Sequence, residues 1–165
     1  MQKAIEELIT DELDTLYRGA LFLCGGDGTR AEDLLQRTAA AAYRSGVGGG
    51  GSDDPHPLER LMVQQFVRDA GRPAPMGPST PVERPAQPAS FGTMTPDRLH
   101  RAAARLPALA RAALWLILLR RWSYADAARA LGMDRDGLLT TLLWRDAFVA
   151  ALVQTGGSST RSAAE

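Results

Sequence analysis

The stretch from Trp122 to Trp144 constrains the fold most. Ser123 is placed to cap a helix, with Asp126 three residues on to close a capping box. Gly132 suits a turn, because a left-handed backbone position costs glycine nothing. Asp134 is a natural cap for a second helix. Two capped helices around one turn residue predict a helix-turn-helix. The second helix has an unusual surface for that motif. A helix in a major groove presents Arg, Lys, Asn or Gln to phosphates and base edges, whereas Leu138 to Trp144 offers four leucines, two threonines and a tryptophan. Leu138, Leu139, Leu142, Leu143 and Trp144 cover well over half of the helical wheel at about 100° per residue. An apolar arc that wide predicts burial or a protein partner.

The rest of the chain reads as helices separated by breakers. Ile5, Leu8, Ile9, Leu13, Leu16 and Leu21 recur near helical spacing and predict a helix over 3–23, stopped by Gly25, Gly26 and Gly28. Thr29 and Glu32 have capping-box spacing and predict a second helix through Arg44. Gly48 to Gly51 cannot hold a helix, and this GGGGS run fits either a natural loop or an engineered linker. Pro57 opens a third helix to about Ala70. Seven of the ten prolines fall within 71–96, which predicts an extended linker. Thr95-Pro96, a cap and a first-turn proline, opens a second block with helices expected over 97–105, 107–121, 123–131 and 135–152. The expected class is all-α, with two small helical domains on a flexible linker, the second a four-helix unit containing the helix-turn-helix. The expected divisions are 1–70, the linker 71–94, 95–152, and a disordered tail 153–165.

Charge narrows function less than pattern does. Basic and acidic residues balance at 19 each, but residues 95–152 carry nine arginines against five aspartates. That excess permits nucleic-acid contact without requiring it. Cys24 is the only cysteine, so no intramolecular disulfide forms, and its apolar context reads as a buried thiol. His56 and His100 lack companions at metal-ligand spacing. Gly25-Gly26-Asp27-Gly28 lacks the preceding strand and the following Gly-Lys-Ser/Thr of a phosphate loop, and reads as a helix stop. No triad or carboxylate pair stands out, so neither an enzyme, a cofactor nor a metal is expected. Glu6, Glu7, Asp11 and Glu12 break any apolar leader, and Ala112 to Leu119 is far short of the ~20 residues a membrane span needs. A cytoplasmic protein with neither membrane nor small-molecule substrate is the expectation.

The order of these parts resembles a bacterial extracytoplasmic-function sigma factor of the sigma-70 superfamily. The resemblance rests on Leu16-Tyr17-Arg18, Ala31 to Gln36 and Tyr43-Arg44 in the first block. In the second it rests on Leu106-Pro107, Leu114 to Leu119, Ser123 to Ala128 and Leu131-Gly132-Met133. It implies that the first block docks on the β′ clamp helices of RNA polymerase core through Asp33, Leu35, Gln36 and Tyr43. It also implies that the second block reads promoter DNA, where Arg135, Thr140, Thr141 and Arg145 are the remaining candidate contacts. The departures are as informative. Polar or basic positions of the family are Leu139, Leu143 and Trp144 here, which makes those three candidates for a protein partner. The family's Arg-Asn pair is Gln64-Gln65, the acidic residue after Gln36 is Arg37, and an expected bulky aromatic is Ala39. Fewer phosphate contacts mean weaker, less salt-dependent DNA binding. Two rival expectations are a regulator that keeps the fold but binds a protein such as an anti-sigma factor, and a helical subunit of a larger assembly.

Overall fold

The computed structural model describes residues 2–47, 54–71 and 95–157, and every regular element among them is helical. The 71–94 linker beyond its first residue, the Gly48 to Gly51 run and the tail from 158 on lie outside the described residues. No helix among the described residues is long and apolar enough to cross a membrane.

The chain opens with α1 (Gln2–Leu23), which ends where Gly25 and Gly26 take left-handed backbone angles, φ 67° and 89°. Helix α2 spans Gly28–Ser45. Its cap is Asp27, whose carboxylate accepts from the Arg30 backbone N–H at 3.1 Å. The expected Thr29–Glu32 box is therefore not the start: Asp27 already sits extended two residues earlier and satisfies one of the first free N–H groups. Helix α3 (Pro57–Asp69) begins on its proline, and α4 (Pro96–Ala104) on Thr95, whose hydroxyl accepts from Arg98 N–H.

Helix α5 (Ala108–Leu114) runs directly into a π turn, Trp115–Leu119, closed by Arg120 N–H donating to the Trp115 carbonyl at 3.0 Å. The helix-turn-helix forms as its caps dictate. In α6 (Tyr124–Leu131) the Ser123 hydroxyl accepts from Asp126 N–H at 3.1 Å and donates to the Asp126 carboxylate at 2.6 Å. Gly132 turns the chain at φ 63°, and Asp134 caps α7 (Arg135–Leu142) through Gly137 N–H at 2.7 Å. The single helix expected over 135–152 is two. It breaks at Leu143, whose N–H bonds the Thr140 carbonyl, three residues back, and α8 (Trp144–Gly157) continues beyond. The second block thus has one more helix than expected, and α8 extends past residue 152 into the segment expected as tail.

The two blocks expected as separate units share one hydrophobic core. Leu16, Phe22, Leu34, Met62 and Phe66 of the first pack in the same cluster as Leu109, Leu114, Trp115, Leu131, Leu138 and Phe148 of the second. Phe22 meets the Trp115 ring at 5.6 Å and the Phe148 ring edge-on at 5.9 Å. Each block alone is small, and a small unit buries a lower fraction of its surface. Burying Trp115 and Phe22 against each other removes apolar surface that a separated pair would leave in water.

Polar ties reinforce the junction. The Arg111 guanidinium donates to the Leu23 carbonyl at 2.6 Å, satisfying an end-of-helix acceptor of α1 from across the blocks. It also lies 5.3 Å from the Phe66 ring centroid. Within the second block, Arg98 donates to the Leu152 carbonyl at 2.8 Å, fastening α4 to α8.

Candidate functional site

Three surfaces collect the residues that matter. The first is the outer face of α2. Asp33 and Gln36 are exposed there, Tyr43 is 44% exposed, and Leu35 is partly buried against the core. Arg37 explains why a basic residue stands next to Gln36. Its guanidinium pairs with Asp33 at 2.8 Å and with Asp69 of α3, so it staples α2 to α3. Asp33 is thus held by a neighbour while remaining accessible.

The second surface is the helix-turn-helix. Arg135 and Thr140 are exposed, and Arg145 is exposed within 3.5 Å of Asp146. Thr141 corrects the expectation. It is 1% exposed, and its hydroxyl donates to the Gly137 carbonyl at 2.8 Å, so it faces inward and offers nothing to DNA. The apolar arc also shrinks. Leu138 is fully buried, and Leu142 and Trp144 pack partly buried against the shared core. Leu139 and Leu143 remain outward, at 44% and 60% exposure. The break at Leu143 divides the arc between two helices, which is why one helical wheel overstated it.

The third surface is the junction of the blocks. Helix α3 packs on α6, and a shallow groove there is lined by Gln64, Val67 and Arg68 on one side and Arg129 to Gly132 on the other. Gln64, which stands in the place of the family's Arg-Asn pair, therefore faces the first helix of the helix-turn-helix. Also on α3, Glu59 is a carboxylate at 1% exposure. It accepts from the Trp115 indole N–H at 2.7 Å and from Arg120 Nε at 2.8 and 3.1 Å. A buried charge is tolerated only when paired and hydrogen-bonded, and this one has three donor contacts from the other block.

Around Arg120 opens a cleft of about 630 Å³, lined by Asp54, His56, Arg60, Arg120, Arg121, Trp122, Asp126 and Arg129, among others. His56 stacks on Trp122 with centroids 5.7 Å apart, and the Arg60 guanidinium lies 5.6 Å from the same ring. Arg60 pairs with Asp54 at 2.6 Å. Burial pushes the Asp54 carboxyl upward, but the Arg60 guanidinium and the His56 backbone N–H outweigh it and hold the group below the usual carboxylate range. Nearby, burial raises Glu12 above its ordinary value, with His56 and Arg120 pulling the other way. Two features of the cleft lack a local account. Arg121 is the one non-glycine among the described residues with a left-handed backbone, φ 59°. That conformation costs an L-residue roughly 1–2 kcal/mol. The Trp122 indole N–H is buried and has no acceptor among the described residues.

Cys24 is buried, as its context predicted. Burial pushes its thiol upward, against the pull of Arg30 and Arg111. Reaction with Ellman's reagent at pH 8 is expected to be roughly tenfold or more slower than for a free thiol, becoming fast on addition of denaturant. Rapid labelling of the native chain contradicts that environment. No group of three or more metal-ligating side chains occurs among the described residues.

No family model, curated protein or solved structure matches the chain. Of the residues singled out in the sequence, Asp33, Gln36, Tyr43, Arg135, Thr140, Arg145, Leu139 and Leu143 lie at accessible positions. Sequence reading missed Glu59, Arg120 and the His56–Trp122 stack, whose partners are 56 to 66 residues apart in the chain and share no periodicity.

Proposed function

We infer that this chain is a sigma-factor-like protein of transcription initiation, docking on RNA polymerase core through α2 and meeting promoter DNA weakly through its helix-turn-helix. The observation that carries this reading is the outer face of α2, where Asp33, Gln36 and Tyr43 are all presented to solvent on one well-capped helix. The capped turn between α6 and α7 supports it, and the exposed Arg135, Thr140 and Arg145 are the groups left for phosphate or base contact. With so few donors, DNA binding is weak and shallow in its salt dependence.

A binding titration against purified core polymerase tests the reading. Asp33→Ala combined with Gln36→Ala is expected to weaken binding about tenfold while the melting curve stays in place, because both side chains point outward. Unchanged affinity removes α2 as the docking helix, and absence of binding by the parent chain removes the reading.

A second reading has its own observation. Leu139 and Leu143 are the exposed leucines of the α7 region, and the α3 face bearing Gln64 and Arg68 is turned toward α6. Both favour a regulator that keeps this fold and binds a helical protein such as an anti-sigma factor, without reading DNA. Failure to bind core polymerase, together with stoichiometric binding of such a protein that Leu143→Asp abolishes, selects it.

A further inference from the structure

We propose that the cleft at the junction of the two blocks binds a small phosphate-bearing ligand, held chiefly by Arg121. Its volume of about 630 Å³ lies within the range of small-ligand sites, about 300–1,000 Å³. Four arginines line it against two aspartates, Asp54 and Asp126. Most of that charge is already engaged. Arg60 pairs with Asp54, Arg129 with Asp126 at 3.2 Å, and Arg120 with the buried Glu59 behind it. The surplus therefore resides on Arg121, which is exposed and makes no ion pair among the described residues.

The backbone at Arg121 makes the same point independently. It follows the π turn in the left-handed position where a helix ordinarily ends on glycine. Glycine there is free of strain, so a long cationic side chain at φ 59° carries a backbone cost that glycine would not. Strained residues that persist in this way cluster at ligand sites. The adjoining Trp122 lines the cleft, with its indole N–H turned away from solvent. A planar guanidinium fork next to aromatic surface from His56 and Trp122 fits phosphate oxygens better than a single-point cation site would. The site uses residues from both blocks, so occupancy stabilises their packed arrangement.

Calorimetric titration of the full chain with inorganic pyrophosphate, in parallel with thermal melts, tests this. The parent chain is expected to bind at millimolar concentration or tighter and to melt higher in the presence of the probe. Arg121→Gly is expected to lose at least tenfold in affinity yet to melt about 2–4 °C higher without probe, since it relieves the left-handed strain. Arg121→Asn, which also tolerates that backbone, is expected to lose affinity with no fall in melting temperature. Arg101→Ala, an exposed arginine of α4 outside the cleft, is expected to bind like the parent. The proposal is overturned if the parent chain does not bind, if either Arg121 variant binds like the parent, or if Arg101→Ala loses as much as Arg121→Gly. It is also overturned if a short DNA duplex binds with the same Arg121 dependence while pyrophosphate does not, which assigns the cleft to a nucleic-acid backbone instead.

Discussion

Replacing Glu59 with alanine is expected to destabilise the protein by about 3–5 kcal/mol, the usual cost of breaking a buried ion pair from one side. The Glu59 carboxylate is 1% exposed and joins Trp115 and Arg120 of the second block to α3 of the first. Its removal strands the Arg120 guanidinium, which is 30% exposed, and leaves the Trp115 N–H without its acceptor. The thermal midpoint should fall on the order of 10 °C. Glu59→Gln keeps an oxygen for Trp115 and loses the charge pair, so its cost should be smaller, about 1–2 kcal/mol. Urea unfolding of the three proteins measures both. A cost below about 1 kcal/mol for the alanine variant would mean that the carboxylate contributes little to holding the blocks together.

The second large effect lies in the glycine run between α1 and α2. Gly25→Ala is expected to cost about 2–5 kcal/mol, from left-handed strain and overpacking together. Gly25 has φ 67°, and a Cβ there would sit 2.8 Å from the Ala104 Cβ and 3.1 Å from the Ala104 Cα, which is backbone and cannot step aside. Gly28, three residues on, has nothing within 4 Å of a Cβ and begins α2. Gly28→Ala is therefore expected to be neutral or to stabilise by up to about 1 kcal/mol. Equal melting temperatures for the two variants would contradict the close approach of α1 to α4. The contrast also explains the run chemically: Gly25 permits contact between blocks, while Asp27 beside it caps a helix.

Local chemistry was legible in the sequence, and contact over distance was not. Ser123, Gly132, Asp134 and the Thr95-Pro96 pair each act within three or four residues, and each does in the structure what its side chain or backbone freedom dictates. The start of α2 was misread by a residue or two because Asp27 and Thr29 are both competent caps, and only the backbone angles choose between them. The break at Leu143 carries no Gly or Pro to announce it. The hydrogen bond of Thr141 to Gly137 depends on which face of α7 turns inward, and the wide leucine arc gave no preference. The sharing of one core by the two blocks was hidden most completely. A proline-rich segment lies between them in sequence, and neither Glu59 nor Arg120 is unusual until they meet across 61 residues.

The π turn at Trp115–Leu119 has a geometric consequence. A π turn accommodates one residue more than an α turn, and each residue of an α-helix advances the chain by about 100° around the axis. The additional residue therefore swings everything downstream by about that angle. With Trp115 fixed against Phe22, the swing decides the azimuth at which Arg120 leaves the helix and hence whether it points at Glu59. It also sets the heading of α6 and α7 relative to the first block. The bulge works as a phase adjuster between a core anchor and a surface motif. A length change of one residue within 115–119 would re-aim the whole helix-turn-helix without altering a single one of its side chains.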